Sequence, residues 1–399
     1  MVKIIFEPAL ANRRKFLAGT ALALATSLSG LPVAAAEDKA PVVLGFATGL
    51  SGAQAQYGRD NVKIGELFAE QMNSQGGIDG RQVSVVSGDT QDQPDIAISL
   101  GRRLIRESNA TALFGHGGSG LTLALSQALK STKVPLLLSY IWGNTNTGPS
   151  LPSVYRIGPF NAYVATLMAK YLEQSPYKNI VILAEDTAYG TDFAKDLTGK
   201  VGAGLKIETI PFQAKIQDLS PVLGKLASGT QPDAIIVAGN YQTIYSLQNQ
   251  IPAAGLKSQI IGAWDYPTTP EFWETAGKNG VGTIYATFTG PSVKLTPTGE
   301  AFRASYSAKF GRDPLFYEYF LWDCLNALRQ AVTDSKSVDP AVLTETLAKV
   351  SFEGTTGPIR FNQEEGAWNQ ALSGTLFMKQ YTEVNQKDAA AKVVAEIAP

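Results

Sequence analysis

The sequence predicts an α/β protein built from two parallel sheets, and three observations lead to this class. Short apolar runs alternate with amphipathic stretches from Val42 onward, which is the pattern of repeated βαβ units. A segment rich in Pro, Gly and Asn, Trp142–Pro159, interrupts the alternation, and a second alternating set follows it. The chain has 399 residues, 44% of them hydrophobic, which is enough for two domains with cores of their own.

The first set of elements is predicted between residues 42 and 138. Its strands are Val42–Ala47, Gln82–Ser87, Thr111–Phe114 and Val134–Leu138, and its helices are Gly58–Asn73, Pro94–Glu107 and Ser119–Lys130. In the first helix, Ile64, Leu67, Phe68 and Met72 follow helical spacing and mark the face that we expect to be buried. The glycine-rich run 76–80 then ends this helix and turns the chain into the next strand.

The second set is predicted between residues 162 and 262. Its helices are Ala162–Leu172, Gly190–Val201, Leu219–Leu226 and Gln242–Ala253, and its strands are Ile180–Ala184, Lys206–Ile210, Ala234–Ala238 and Gln259–Gly262. Parallel strands joined by helices need cover on both faces of their sheet, so each set predicts a doubly wound lobe. The remainder, Ile284–Leu347, is predicted to be mainly helical and is followed by a strand-like run, Gly374–Lys379.

Residues 1–36 are predicted to be a signal peptide that lies outside the fold. Arg13-Arg14-Lys15-Phe16-Leu17 precedes an apolar run, and Ala34-Ala35-Ala36 offers a cleavage site of small residues. The paired arginines resemble a twin-arginine export signal, although a general secretory signal with a basic start has much the same pattern. Either route predicts a periplasmic protein.

Charge and residue counts exclude several classes of function. Without the four basic residues and one acidic residue of the first 36, the 34 basic and 35 acidic residues fall to 30 and 34, a net charge of −4. Nucleic acid is therefore not an expected partner. One histidine and one cysteine are too few for the usual zinc sites, and no metal or cofactor is expected. Cys324 lies in an apolar helix pattern and is expected to be a buried core residue.

The stretch that carries most of the chemistry is Ala112–Leu125, where a buried-strand pattern runs through a glycine-rich turn into a helix. Free backbone N–H groups of the turn and the positive end of the helix dipole favour a small anion there. The hydroxyls of Ser119 and Thr122 add further donors. A carboxylate is therefore the expected ligand group.

Three other interpretations of this stretch were weighed. Its glycines match the dinucleotide motif G-x-G-x-x-G, but the acidic residue expected about 20 positions later is absent. A hydrolase elbow at Ser119 needs glycine where Leu121 stands, and the only histidine, His116, lies three residues before the serine and not far downstream. A turn that only lets strand and helix pack closely stays open. No enzyme activity is expected, and a secreted serine hydrolase is the weaker alternative.

Six short motifs lie along the chain in a specific order and spacing. They are Leu50-Ser51-Gly52, Gln56-Tyr57-Gly58, Asn73-Ser74-Gln75-Gly76-Gly77-Ile78-Asp79-Gly80, Gly115-His116 with Ser119, Tyr189-Gly190 and Thr356-Gly357-Pro358-Ile359. With these motifs, residues 41–380 resemble the periplasmic leucine/isoleucine/valine-binding proteins, which are the substrate-binding components of ABC importers.

The resemblance implies the type I periplasmic-binding-protein fold, in which two doubly wound parallel-sheet lobes are joined by three crossing strands. It places residues 41–158 and 289–360 in the first lobe, and residues 159–288 and 361–399 in the second. The crossings are expected near Ile157–Phe160, Ala286–Gly290 and Ile359–Asn362.

The resemblance also implies a ligand site between the lobes. Ser119, which follows Gly118 in the glycine-rich turn, is similar to the family serine that holds the ligand carboxylate. The next family contacts come from the loop after the fourth strand. Here that loop supplies Tyr140, Trp142 and Gly143, and the family's small residues and threonine are not retained.

Aromatic and acidic residues are expected to complete the site. Tyr57 and Tyr189 look like the pocket-wall aromatics of the family. Tyr241 and the pair Trp264-Asp265 occupy the second-lobe positions that recognise the ligand ammonium. The family's acid is not cleanly matched there, because Asp265 fits only with a one-residue shift and Trp264 aligns at least as well.

These features favour a monomeric, extracytoplasmic solute-binding protein that captures a small carboxylate-bearing ligand between two closing lobes. The expected ligand is a hydrophobic or branched-chain amino acid, and the expected partners are inner-membrane ABC permease subunits. An aromatic carboxylate lacking an amine stays open as the ligand because aromatic walls suit a flat ring, and a sensory role also stays open. A desolvated ammonium needs a paired acid, for which Asp265 is the leading candidate and Asp186 the reserve.

Overall fold

The computed structural model describes residues 39–52, 55–214, 216–239, 241–364, 366–371 and 374–399. The side chains of His116, Tyr241, Gln242 and Pro270 lie outside this description, and so does the predicted signal peptide. Among the helices that are described, none combines the length and the hydropathy needed to cross a membrane.

Strands and helices alternate along the described chain much as the sequence patterns predict. The elements are β1 (Val42–Thr48), α1 (Ala55–Ser74), β2 (Val83–Asp89), α2 (Pro94–Arg106), β3 (Ala112–His116), α3 (Ser119–Leu129), β4 (Leu136–Leu138), β5 (Val154–Ile157), α4 (Asn161–Gln174), β6 (Asn179–Glu185), α5 (Ala188–Lys200), β7 (Lys206–Phe212), α6 (Ser220–Ser228), β8 (Ala234–Ala238), α7 (Tyr241–Ala253), β9 (Gln259–Gly262), α8 (Pro270–Ala276), β10 (Ile284–Thr287), α9 (Pro297–Phe310), α10 (Phe316–Ser335), α11 (Pro340–Leu347), β11 (Ser351–Glu353), β12 (Pro358–Arg360), β13 (Gln370–Ala371), β14 (Leu376–Gln380) and β15 (Lys392–Ile397).

The first sheet has six strands in the order β13-β5-β4-β3-β1-β2, and its neighbouring strands are parallel. Successive side chains of a strand point to opposite faces. In β1, Phe46 packs with α1, α10 and α11 on one face, whereas Ala47 packs with α2 and α3 on the other. Helices therefore cover both faces, as expected for a doubly wound sheet, and we call this sheet with its helices the first lobe.

The second sheet has seven strands in the order β15-β14-β10-β9-β8-β6-β7. The strands from β7 to β10 pair in parallel, but β14 runs antiparallel to both of its neighbours, β10 and β15. Its core is rich in β-branched residues of β6 and β8, which are buried on both faces. We call this sheet with its helices the second lobe. The predicted fold class of two doubly wound lobes is confirmed.

The local patterns that predict single elements are also confirmed. Ile64, Leu67, Phe68 and Met72 form the buried face of α1. After this helix the backbone adopts positive φ at Gly77, where an added Cβ would overlap the carbonyl oxygen of Arg81, so the turn requires glycine. Cys324 is buried in α10, as expected.

The described chain passes from one sheet to the other after β5, after β10 and after β13. The third passage corrects the prediction of a crossing near Ile359–Asn362. Residues Pro358–Arg360 form β12, which pairs only with β11 in a two-stranded ribbon, and the chain then returns to the first sheet as β13. It leaves that sheet after Ala371, so residues 361–371 belong with the first lobe and not the second.

Two predicted loop or helical segments contain strands. β5 lies inside the Pro-, Gly- and Asn-rich interruption Trp142–Pro159, and β10 lies at the start of Ile284–Leu347, which was predicted to be mainly helical. Both strands have only four residues, and all of these are buried. Runs this short have no clear period of their own, because the neighbouring strands stabilise them.

Candidate functional site

The candidate site begins at the carboxyl ends of the first-lobe strands. The strand order changes direction between β1 and β3, and ligands of open α/β sheets bind outside the strand ends at such a point. The segments that follow β1, β3 and β4 carry Tyr57, Ser119 and the loop 139–147. In the second lobe, the segments after β6 and β9 carry Tyr189 and Asp265.

Ser119 is the first residue of α3 and is buried against the loop 139–147. Its Oγ accepts a hydrogen bond from the Gly143 amide at 2.9 Å, and its carbonyl oxygen accepts one from Asn146 Nδ2 at 2.9 Å. A Cβ added at Gly143 would overlap Asn146 Oδ1 and approach the Ser119 Cβ to 2.9 Å. The loop therefore lies directly on the helix start, and the Ser119 hydroxyl keeps a proton to donate.

Arg156, near the end of β5, donates hydrogen bonds to the same loop. Its guanidinium is fully buried and donates to the carbonyl oxygens of Ile141 at 2.8 Å and Gly143 at 2.7 Å. It also donates to Gln370 Oε1 on β13 at 2.8 Å. Burial lowers the pKa of Arg156 to about 9. Arg156 was not predicted as a site residue, because it lies in the predicted interruption Trp142–Pro159.

Tyr140 is the centre of an aromatic cluster that includes residues of both lobes. Its ring lies 5.3 Å from Tyr57, 5.5 Å from Tyr317 and 6.0 Å from Trp264, measured between ring centroids. Tyr57 and Tyr317 are themselves 4.3 Å apart. Tyr317 and its neighbour Phe316, which lies 5.6 Å from Tyr140, were not predicted as site residues, because both start a helix with a core-like pattern.

Trp142 and Tyr189 form a second contact between the lobes, with ring centroids 5.9 Å apart in an edge arrangement. Within the described residues, neither the Trp142 Nε1 nor the Tyr189 hydroxyl has a hydrogen-bond partner. Burial and the nearby negative charge of Glu185 raise the pKa of Tyr189 well above its ordinary value. Both groups are polar atoms of aromatic walls that a ligand could satisfy.

Asp265 is the acid of the candidate site. Its carboxyl group is buried, and Oδ1 accepts a hydrogen bond from the Tyr140 hydroxyl of the first lobe at 2.8 Å. Oδ2 has no hydrogen-bond partner among the described residues. Burial raises the pKa of Asp265 well above its ordinary value, the hydrogen bond from Tyr140 opposes this, and Asp388 adds to it.

The sequence left Trp264, Asp265 and Asp186 as alternatives for the position that recognises the ammonium, and the structure distinguishes them. Trp264 donates its Nε1 proton to the carbonyl oxygen of Gly239 within its own lobe, at 3.2 Å. Asp265 reaches across to the first lobe. The reserve candidate Asp186 is exposed, whereas its neighbour Glu185, which was not predicted, is buried at the end of β6.

Gly118 and Tyr241 were also predicted as site residues. Gly118 precedes α3 with φ −51° and is exposed, and an added Cβ there would meet nothing within 4 Å. Tyr241 begins α7, and its side chain lies outside the described residues.

A cavity of about 400 Å³ opens between the lobes beside Tyr57 and Tyr317. The second lobe contributes Tyr245 and Glu271 to its lining, and the first lobe contributes Arg59. The volume is within the range of small-molecule sites, which is about 300–1,000 Å³. Of the predicted site residues, this cavity is lined by Tyr57 and not by Ser119, Trp142, Tyr189 or Asp265. Within the described residues, no group of three His, Cys, Asp or Glu side chains is placed to hold a metal ion.

Two doubly wound lobes that meet through aromatic and acidic side chains at their strand ends define a class of two-lobed, ligand-binding protein. A family model described as periplasmic binding protein matches residues 41–380. The chain therefore belongs to the periplasmic binding protein family. Leu/Ile/Val-binding protein homolog 7 of Brucella abortus is 26% identical over 346 residues, which cover 83% of this chain and 86% of the relative.

Solved structures agree on the fold. The branched-chain amino acid transporter substrate-binding protein of Streptococcus pneumoniae, in complex with isoleucine, superposes with a TM-score of 0.77 at 24% identity and covers 89% of this chain and 99% of its own. An ABC-transporter solute-binding protein of R. palustris, in complex with benzoate, gives 0.75 at 20% identity, covering 90% and 97%. This chain is accordingly a member of the periplasmic binding protein family that shares the fold of these two solved binding proteins.

Proposed function

We propose that this protein is the solute-binding protein of an ABC importer and that it captures a hydrophobic or branched-chain α-amino acid between its lobes. The observation that carries this proposal is the Asp265 carboxyl group, which is buried between the lobes with Oδ2 lacking a partner among the described residues. A buried acid of this kind costs free energy unless an opposite charge pairs with it. The ammonium group of an amino acid supplies both that charge and the missing hydrogen bond.

The other groups of the cleft fit the rest of an amino acid. The Ser119 hydroxyl and the start of α3 offer donors to the carboxylate. Trp142, Tyr189 and Tyr57 offer apolar walls to the side chain. Glu185, buried at the end of β6, is a second acid near the cleft, since its negative charge contributes to the raised pKa of Tyr189.

An aromatic carboxylate without an amine is the second candidate, and the aromatic cluster around Tyr140 favours it. In this case Asp265 would bind in its protonated form and donate its proton to the ligand carboxylate. The raised pKa of Asp265 suits that role as well. The two candidates therefore differ in the charge of Asp265 in the complex.

That difference gives the two ligand classes opposite pH dependence. An ammonium ligand needs the carboxylate, so the affinity for L-leucine rises with pH until the raised pKa of free Asp265 is passed, and binding releases a proton. An amine-free acid needs the protonated form, so the affinity for benzoate is highest below the raised pKa of free Asp265 and falls as pH rises above it. Each unit between the pKa values of the free and bound states changes affinity about tenfold.

Isothermal titration with L-leucine, L-isoleucine, L-phenylalanine and benzoate, at several pH values and in two buffers of different ionisation enthalpy, measures both quantities. We expect binding of the amino acids with proton release, and loss of that release in Asp265→Asn. Tight benzoate binding that weakens as pH rises, with no heat from any amino acid, would replace the first candidate by the second. No heat and no melting shift with any of the four would contradict both.

We further propose that the closed, liganded form docks on inner-membrane ABC permease subunits. The family relationship supports this partner. Ligand contacts to both lobes favour closure, so the radius of gyration from X-ray scattering should fall when a ligand that binds is added. Co-purification of a sensor kinase in place of a permease would favour the sensory alternative.

A further inference from the structure

We infer that Arg156 is a positioning residue that couples the crossings between the lobes to the ligand loop 139–147. This inference rests on the proposed function where it assigns ligand binding to the loop 139–147. The contacts of Arg156 with the loop do not depend on that assignment. The guanidinium lies at the junction of three segments: the end of β5, the end of β13 and the loop itself.

Arg156 lies beside two of the crossings between the lobes. Arg156 is the third residue of β5, and the chain leaves the first lobe immediately after that strand. Its guanidinium lies 5.0 Å from the ring centroid of Phe160, within that crossing. On the other side, Nε and Nη2 donate to Gln370 Oε1 at 3.2 and 2.8 Å, and Gln370 belongs to β13, the strand before the third crossing.

The Arg156 guanidinium also binds the loop 139–147. Nη1 donates to the carbonyl oxygens of Ile141 and Gly143, and Nη2 donates to Thr147 Oγ1 at 3.3 Å. These residues flank Trp142 and the amide that donates to Ser119 Oγ. Fixing the two carbonyl oxygens therefore fixes the peptide planes that place Trp142 in the cleft and bring the Gly143 amide onto Ser119.

Burying the Arg156 guanidinium costs free energy. Arg156 is fully buried, and its hydrogen-bond partners among the described residues are neutral oxygens, with no carboxylate. A buried cation without a counter-ion is an expensive way to stabilise a core. A planar fork with five donors is, however, the group that can hold a loop and a strand at the same time in a fixed geometry. The arrangement thus favours a positioning role over a purely stabilising one.

The test substitutes Gln370, which bonds to Arg156 and, among the described residues, makes no hydrogen bond to the loop. In Gln370→Met the guanidinium loses its acceptor on β13 while the residue keeps its size. Hydrogen–deuterium exchange of the ligand-free protein should then become about tenfold faster, or more, in the loop 139–147 as well as in residues 366–371. In Gln370→Glu, which keeps the acceptor and adds a counter-ion, exchange in the loop should stay at the wild-type rate.

Two further variants complete the design. Arg156→Lys keeps the charge but not the fork, so the loop should again exchange faster even though the protein folds. Arg329→Met, which removes another partly buried arginine of the first lobe on α10, serves as the matched control and should leave the loop unchanged. Faster exchange confined to residues 366–371 in Gln370→Met, with an unchanged loop, would overturn the inference.

A ligand measurement separates this inference from the proposed function. With L-leucine as the probe, Gln370→Met should weaken binding about tenfold, and Gln370→Glu should restore it. If the wild-type protein does not bind L-leucine, the proposed ligand is wrong, but the exchange data still decide the coupling. Wild-type affinity in Gln370→Met despite a loosened loop would show that the loop position does not matter for the ligand and would overturn the positioning role.

Discussion

The two sides of the interlobe cleft are built from different chemistry. On the first-lobe side, Ser119 and Gly143 bond to each other, and neutral oxygens accept the hydrogen bonds of the buried cation Arg156. On the second-lobe side lie two buried acids, Asp265 and Glu185. The first side therefore offers donors on a preformed backbone, and the second offers negative charge. A ligand with a carboxylate at one end and an ammonium at the other has only one favourable orientation between them.

The strongest test of this comparison removes the negative charge of the second side. Asp265→Asn should weaken L-leucine binding by about 2–5 kcal/mol, because a buried ion pair with the ammonium is lost. Isothermal titration gives the affinity. Asp186→Asn is the matched control, since this acid is exposed and should leave binding unchanged. An amino acid bound equally well by Asp265→Asn would remove the role assigned to the carboxylate.

The same variant predicts a change in the pH dependence of stability. The pKa of Asp265 is higher in the folded than in the unfolded protein, so the unfolded state binds fewer protons between these two values. The contribution of Asp265 to the free energy of unfolding therefore falls as pH rises through that interval. Urea unfolding at several pH values should show this fall in the wild type and a flatter profile in Asp265→Asn. Parallel profiles would mean that Asp265 has an ordinary pKa.

The next test disturbs the backbone of the first side. Gly143→Ala should lower the free energy of unfolding by about 1–3 kcal/mol, because the added methyl group has no room beside Asn146 and Ser119. Gly118→Ala is the matched control, since its φ is negative and its Cβ would meet nothing within 4 Å. Urea unfolding measures both variants. Equal stabilities of the two variants would mean that the loop 139–147 shifts to accommodate the added methyl group.

Removing the hydroxyl of the first side should affect affinity more than stability. Ser119→Ala should weaken L-leucine binding by about 1–3 kcal/mol if the hydroxyl donates to a buried carboxylate. Ser126→Ala on the same helix, whose hydroxyl bonds to the Thr122 carbonyl oxygen, controls for loss of a buried serine and should not change affinity. Equal effects of the two substitutions on titration would place the ligand carboxylate elsewhere.

The smallest expected effect concerns the hydrogen bond that joins the two sides. Tyr140→Phe removes the donor to Asp265 Oδ1 and keeps the ring, so affinity should fall by about 1 kcal/mol through faster dissociation. Stopped-flow fluorescence separates the dissociation rate from the association rate. A variant that closes and releases ligand like the wild type would show that the aromatic contacts alone hold the lobes together.

Much of the fold was predictable because its signals are local. The buried face of α1, the glycine stop after it and the alternation of strands and helices in both lobes follow from residue spacing within a few turns of chain. The family motifs added the two-lobe plan. β5 and β10 were missed, and the third crossing was predicted about ten residues too early, because strands of two to four residues form only when a neighbouring strand pairs with them.

The sequence by itself determined the fold class and the family, since both follow from motifs and their spacing along the chain, and it predicted the region of the candidate site. Only the tertiary structure decided what each neighbouring side chain does: Asp265 bonds to the Tyr140 hydroxyl, whereas Trp264 bonds to Gly239 and packs its ring near Tyr140. It also showed that Glu185, and not Asp186, is the buried acid after β6. Adjacent residues at a strand end point in different directions, so a shift of one position exchanges a buried group for an exposed one. The contacts of Arg156 could be found only from the structure, because its partners lie up to 214 positions away in the sequence.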